Sequence, residues 1–369
     1  MKKSAVALTE ALLPIAQALQ ANSFTPHPMF KGRHAQTLAG YFYPRRLNLR
    51  SQLRRDEGRL FEVDSDVQLL AHCRWQPIEK RRKSPTLLLV HGLEGSSDSV
   101  YMLGTAAKAY KAGFNVLRLN LRTCGNTEHL TCKPYHSGMS HDLQAVINEL
   151  INSDKLENIF LGGFSLGGNM SLKLAGEWSA NTPKELRGVV AISPSIDLAA
   201  SAKAIEHPSN QLYNRRFIKS LKKRVRRIQK LYPELYNFDR LNSIRSIRDF
   251  DSRFTAVYGG FKDVDDYYAR ASALSLIKEI HVPTLIIQAQ DDPFIPFESF
   301  RHPSIAENPF VLMLTSSHGG HVGFISAAQN EDRFWAENRL VEFCRLLSDE
   351  KTNASAQRHE DAEKNKPRI

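Results

Sequence analysis

The sequence predicts an α/β fold: a mostly parallel sheet with helices on both of its faces. Short continuous apolar runs recur, first at Thr86-Leu87-Leu88-Leu89-Val90 and again at 115–119, 158–161, 189–192, 284–287 and 310–314. Runs of that length without polar alternation fit strands covered on both faces. Helix-length segments separate most of them, and repeated β then α is the pattern of parallel crossovers. The chain has 369 residues, which at roughly 150 per domain means one large or two ordinary domains. Apolar residues are 42% and charged residues 24% of it, a globular composition that excludes disordered, collagen-like and disulfide-scaffold classes.

From the N-terminus, Ala7, Leu8, Ala11, Leu12, Ile15 and Leu19 fall at helical spacing. Glu10 and Pro14 interrupt any signal-peptide core, so an amphipathic leading helix is the better reading. Residues 60–63 and 67–75 read as a hairpin around Asp64-Ser65-Asp66, and the apolar runs follow from Thr86. The alternation breaks between about 197 and 274, longer than one crossover needs, which predicts an insertion. Inside it Ile218, Leu221, Val225, Ile228 and Tyr232 are spaced as one apolar face of a helix of about four turns. From 349 onward the chain is polar, charged and aperiodic, and reads as a mobile tail. No apolar stretch approaches the ~20 residues that span a bilayer.

Chemistry concentrates behind four of the strands. After the run at 158–161 comes Gly162-Gly163-Phe164-Ser165-Leu166-Gly167-Gly168, then a helix-compatible segment. G-x-S-x-G between strand and helix is the pattern of a nucleophile elbow, in which a strained serine stands on a tight turn that only glycines let neighbouring backbone pass. Acyl transfer at such a serine needs two backbone donors for the developing oxyanion. Leu166 supplies one, and Leu93 in His91-Gly92-Leu93-Glu94-Gly95, just past the strand at 86–90, is placed to supply the other. An acid and then a base should follow in chain order. Asp291-Asp292-Pro293 follows the strand at 284–287, with Asp292 preferred over Asp291 because the adjacent proline restrains the turn. His318-Gly319-Gly320-His321 follows the last strand, with His321 preferred because two glycines let the loop dip inward. Ser165 then attacks an acyl carbonyl, His321 carries the proton, and Asp292 orients the imidazole. No cofactor is implied. A metal reading of His318 with His321, or of Cys124, His129, Cys132 and His136, lacks a recognisable ligand spacing.

These residues, with several others, resemble the YheT-like branch of the α/β-hydrolase fold superfamily, which includes bacterial hydrolases and, more distantly, yeast medium-chain acyl-CoA:alcohol acyltransferases that also act as esterases. The likeness runs from about Phe24 to Arg345. It rests on Phe24-Thr25-Pro26, His34-Ala35-Gln36-Thr37, His91-Gly92-Leu93-Glu94-Gly95-Ser96, Leu121-Arg122-Thr123-Cys124-Gly125 and Tyr135-His136-Ser137-Gly138. It continues through Gly163-Phe164-Ser165-Leu166-Gly167-Gly168-Asn169-Met170, Ile247-Arg248-Asp249-Phe250-Asp251, Asp266-Tyr267-Tyr268, Asp291-Asp292-Pro293-Phe294 and His318-Gly319-Gly320-His321-Val322-Gly323-Phe324. The resemblance implies the triad Ser165, Asp292 and His321. Thr123 stands where relatives often have Gly, and Phe164 where Tyr is common. The organisation that follows is an N-terminal extension over 1–58, an α/β-hydrolase domain over 59–348 with a helical cap at about 197–274, and the tail over 349–369. Spacing assigns no mechanism to 121–138, which reads as a loop over the site.

The expected activity is therefore hydrolysis of a small-molecule acyl ester, short- to medium-chain, through an acyl-serine. Transfer of the acyl group to an alcohol and a non-catalytic binding role stand as alternatives. Lys and Arg exceed Asp and Glu by 11, yet nine of those bases fall between Arg215 and Lys230 with no acid among them. A solvated helix face or contact with an anionic membrane surface accounts for them. No nucleic-acid module accompanies them, so nucleic acid is set aside. Four scattered cysteines suit a reducing compartment, and the location expected is the cytoplasm.

Overall fold

The computed structural model describes residues 8–10, 12–45, 56–236 and 241–364, the last fifteen of these by backbone alone. Ala7 and Ala11 of the expected leading helix and residues 365–369 of the expected tail lie outside the described residues. In chain order the elements are α1 (Leu12–Ala21), α2 (Arg33–Phe42), β1 (Glu57–Asp64), β2 (Val67–Arg74), β3 (Thr86–Val90), α3 (Val100–Lys111), β4 (Asn115–Leu119), α4 (Ser140–Asn152) and β5 (Ile159–Phe164). There follow α5 (Leu166–Trp178), β6 (Leu186–Ile192), α6 (Leu198–Glu206), α7 (Gln211–Leu231), α8 (Val264–Ala271), β7 (Thr284–Ala289), β8 (Val311–Ser316) and α9 (Trp335–Lys364).

All eight strands form one sheet in the order β1-β2-β4-β3-β5-β6-β7-β8. β1–β2 and β2–β4 are antiparallel, and every other pair is parallel. The central strands are buried along their whole length. Their alternate residues feed two separate cores. Leu88, Leu161, Val189 and Ile286 face one layer, with α4, α5 and the helices between β6 and β7; Leu87, Phe160, Val190 and Leu285 face the other, with α1, α3 and α9. The period of two along each strand puts a hydrophobic layer on each side, which is why these runs show no polar alternation in sequence.

In α1, Leu12, Ile15, Ala16 and Leu19 are buried, and Pro14 sits in the first turn, where its missing N–H costs no hydrogen bond. At the other end α9 continues to Lys364, through the stretch whose lack of periodicity suggests an unstructured tail. Ala, Glu and Lys recur there, and good helix formers extend an existing helix at one hydrogen bond per residue without any apolar face.

The basic helix differs from its sequence reading in one respect. Ile218, Leu221, Val225 and Ile228 are buried as the spacing predicts, but so is Arg224. Arg224 follows Leu221 by three positions and precedes Ile228 by four, so it belongs to the inward stripe and not to the charged face. No helix among the described residues is long and apolar enough to cross a membrane.

Candidate active site

Four loops at the carboxyl ends of β3, β5, β7 and β8 converge on one point. Ser165 joins β5 to α5 with φ 52° and ψ −117°, a left-handed conformation that is strained for any residue with a side chain. The strain is held by close packing. A Cβ on Gly163 would lie 2.3 Å from the Gly167 carbonyl oxygen, and one on Gly167 would lie 2.5 Å from that of His91. Ser165 N–H donates to the Ile192 carbonyl at 2.9 Å, so β6 anchors the turn.

Ser165 Oγ lies 3.0 Å from His321 Nε2, and His321 Nδ1 lies 2.9 Å from Asp292 Oδ2. The Asp292 side chain is fully buried and that of His321 is 12% exposed. Asp292 Oδ1 accepts from Phe294 N–H at 2.8 Å and Ile295 N–H at 3.0 Å. A carboxylate serving as acceptor on both oxygens places the imidazole proton on Nδ1, leaving the Nε2 lone pair for the serine hydroxyl. Asp291 and His318 lie outside this line. Asp291 accepts from Gly320 N–H at 2.9 Å and faces His318 Nδ1 at 3.4 Å.

The loop that carries His321 is held by the N-terminal segment. His321 N–H donates to Thr37 Oγ1 at 2.9 Å. Gln36, fully buried, accepts from Ile325 N–H at 2.7 Å and donates to the Ile325 carbonyl at 3.1 Å. A Cβ on Gly320, where φ is 58°, would meet the Arg33 carbonyl oxygen at 2.4 Å, so α2 packs directly on the loop backbone. Phe24 packs against Phe324 and Trp335. The motifs Phe24-Thr25-Pro26 and His34-Ala35-Gln36-Thr37 thus brace the histidine loop, a role that spacing alone does not announce.

Leu93 and Leu166 line the same cavity as Ser165, and their amides have no hydrogen-bond partner among the described residues. Leu166 opens α5, where the first N–H groups are always unpaired. Gly92 N–H donates to Tyr101 Oη at 3.0 Å and Glu94 N–H to Tyr135 Oη at 2.9 Å, which fixes the backbone on either side of Leu93. His91 is fully buried; its Nδ1 donates to the Gly92 carbonyl at 2.8 Å and its Nε2 accepts from Leu121 N–H at 3.1 Å. Burial pushes it down to about 4, so the ring stays neutral and serves both contacts. The Glu94 side chain, at φ 54°, takes Arg224 Nε at 2.7 Å and the Ser220 hydroxyl at 2.9 Å. Arg224 also donates to Thr123 Oγ1 at 3.2 Å and stands over the Tyr135 ring at 4.7 Å. Burial opposes its charge, but Glu94 beside it outweighs this and raises the guanidinium above its usual value.

Residues 121–138 therefore tie the loop after β3 to α7. Thr123 has φ 60°, a conformation that suits glycine, and its hydroxyl gives Arg224 a partner that glycine lacks. Arg227 of α7 pairs with Glu128. Asn169 of α5 donates to the Ser137 and Ala271 carbonyls at 3.2 and 2.8 Å and accepts from Ala273 N–H at 2.8 Å. No group of three His, Cys, Asp or Glu suited to a metal ion occurs among the described residues, and burial pushes the Cys124 thiol up.

Two cavities meet at Ser165 and His321. One, with about 750 Å3 of atom-free space, runs under α6 and α7 between Leu198, Ile205, Leu221 and Phe250. The other, about 700 Å3, opens beside α2 and is lined by Leu38, Tyr41, Phe42 and Arg216.

An eight-stranded, mostly parallel sheet with a strained serine after β5 defines an α/β hydrolase, and the chain belongs to the α/β hydrolase fold family, whose pattern it matches over residues 85–328. Within the family it is 31% identical over 322 residues to Putative esterase YheT of Escherichia coli (strain K12), covering 87% of this chain and 92% of that one. It is also 29% identical over 276 residues to Monoacylglycerol lipase of Saccharomyces cerevisiae, covering 73% and 60% of the two chains. Among solved structures, the Pyrococcus furiosus esterase Pf2001 shares the fold with a TM-score of 0.50 at 19% identity, over 79% of this chain and 93% of its own. The relatives are thus of esterase and lipase type.

Proposed function

We propose that the chain is a serine carboxylic ester hydrolase that works through an acyl-serine intermediate. The observation that carries this reading is the hydrogen-bonded line from Asp292 through His321 to Ser165, on a cavity that Leu93 and Leu166, whose amides are unpaired among the described residues, also line. Ser165 Oγ attacks the ester carbonyl while His321 Nε2 takes its proton. Asp292 steadies the imidazolium, and the two amides donate to the oxyanion. His321 then returns the proton to the leaving alkoxide, and water attacks the acyl-serine by the same route in reverse. The apolar cavity under α6 and α7 suits a short- to medium-chain acyl group, and the cavity beside α2 suits the alcohol. Because that second cavity reaches Ser165, an alcohol bound there could intercept the acyl-enzyme, and acyl transfer is the variant reading.

A fluorophosphonate probe tests the assignment. Labelling is expected in the wild type and absent in Ser165→Ala; labelling that persists in Ser165→Ala refutes it. A p-nitrophenyl ester series of rising chain length, run with the same control, then measures acyl preference.

We further read the chain as one catalytic domain over 59–348 with a cap at about 197–274, working in the cytoplasm, a location that four free thiols support. We also propose peripheral contact with an anionic membrane at the mouth of the second cavity. Exposed Leu38, Tyr41 and Phe42 line it with exposed Arg216, and Leu212, Arg215 and Lys219 are exposed on the same helix, α7. Equal flotation on anionic and neutral vesicles would refute that contact.

A further inference from the structure

The acyl-side cavity does not end on hydrocarbon alone. Asp251, Thr255 and Tyr268 line it along with the apolar walls. Asp251 begins a single π-turn, Asp251–Thr255, an insertion that widens a helix locally and re-aims its side chains. Its Oδ1 accepts from Thr255 Oγ1 at 2.6 Å and its Oδ2 from Tyr268 Oη at 2.9 Å. Two carboxylate oxygens offer about four acceptor positions, so the protein fills only part of the capacity of this group. The residue is half-buried, although its carboxyl lies deep in the chain. Burial pushes that carboxyl up to about 6, helped by Glu206 of α6 and opposed by the Thr255 and Tyr268 hydrogen bonds and by Arg224 of α7. A deep, incompletely satisfied acceptor facing an apolar cavity is costly for folding alone.

We propose that Asp251 is a specificity-determining residue that accepts a hydrogen bond from a hydroxyl on the acyl chain, so that hydroxyacyl esters are the preferred substrates. This rests on the reading of Ser165 as the nucleophile and of this cavity as the acyl side. The chemistry favours a neutral donor. A second carboxylate would be repelled by Asp251, and an ammonium would lose its hydration in an apolar cavity that already holds the Arg224 guanidinium. A hydroxyl costs little to desolvate and supplies a donor for one of the open acceptor positions. A chain without the hydroxyl leaves the carboxyl facing hydrocarbon, which is the basis of discrimination in sites built to bind a hydroxyl.

The test compares ethyl octanoate with isomers carrying one hydroxyl at successive carbons, hydrolysis being followed by pH-stat titration. The wild type is expected to favour at least one hydroxylated isomer over ethyl octanoate by roughly ten- to a hundred-fold in kcat/KM, the range of a hydrogen bond to a charged acceptor. In Asp251→Leu this ratio is expected to collapse toward one, and in the isosteric Asp251→Asn to fall part of the way. A purely structural role would lower both substrate classes by the same factor and leave the ratio unchanged, which overturns the proposal. So does a wild-type enzyme that cleaves every isomer and ethyl octanoate equally. If no ester is cleaved and Ser165 takes no fluorophosphonate, the reading of the site itself falls, and this proposal with it.

Discussion

Replacing Arg224 by Met removes the charged contact between the cap and the loop that carries Leu93, one of the proposed oxyanion donors. Arg224 and Glu94 are 3% and 7% exposed, with Nε and Oε1 2.7 Å apart. Removing the guanidinium leaves a buried carboxylate with only hydroxyl partners. Breaking such a pair costs about 3–5 kcal/mol, which in a chain of this length corresponds to about 4–7 °C in Tm. Glu94 directly follows Leu93, so the same change loosens one of the two proposed oxyanion donors. Loss of one donor outright lowers kcat about 10²- to 10³-fold. Because Tyr135 still holds the Glu94 amide, a fall of about tenfold is expected within that ceiling. Thermal unfolding and ester turnover are measured on Arg224→Met, Glu94→Gln and the double variant. The double variant is expected to regain part of the lost stability, giving a coupling above about 1 kcal/mol. A kcat unchanged in a variant whose Tm falls as expected would refute the link between cap and oxyanion loop, and an unchanged Tm would refute the burial argument itself.

Asp292→Asn is expected to preserve the fold and lower kcat about 10⁴-fold near neutral pH, because an amide stabilises the wrong imidazole tautomer; a loss under tenfold would remove Asp292 from its proposed role. In Gly320→Ala the added methyl meets the Arg33 carbonyl, so the histidine loop must shift, and turnover is expected to fall at least tenfold while the sheet still folds. Wild-type turnover in that variant would mean that α2 does not set the position of His321. Acidification tests two buried imidazoles. Burial lowers His91 to about 4 and His136 to about 3, so both stay neutral in the fold while the unfolded chain takes up their protons near its ordinary value of 6.5. Stability is therefore lost as pH falls from about 7 toward 4. Asp251, raised to about 6, is protonated first in the fold and offsets part of that loss between about pH 6 and pH 4. A Tm that falls across this window, and falls less in His91→Asn, is expected; a Tm that rises on acidification would contradict the sign.

The β3, β5, β6 and β7 strands were legible because continuous burial leaves an unbroken apolar run, and Ser165 was legible because the elbow forces glycines into fixed positions. Local chemistry of this kind survives in one dimension. Gln36 and Thr37 did not declare themselves, since their partners Ile325 and His321 lie some 285 residues away and a buried amide looks like a surface one in sequence. Arg224 was hidden for a different reason. In a run of nine bases the charge pattern masks the one position that shares the helical phase of Leu221 and Ile228. The quoted motifs around Tyr135, Asp251 and Tyr268 could be recognised as a set, but only their convergence on one cavity suggests a common purpose.

The brace between α2 and the histidine loop has a consequence for how the protein is made. Residues 33–37 leave the ribosome long before residues 319–325, their partners lying 284 and 289 positions further along the chain. Until both are present, the contacts from Thr37 to His321 and from Gln36 to Ile325 do not exist, and their closure carries the entropy cost of a very long loop. Strands and elbow can assemble before then, yet the proposed proton carrier has no fixed place. Assembly of the proposed triad in this chain is thus coupled to the meeting of two segments separated by most of the catalytic domain.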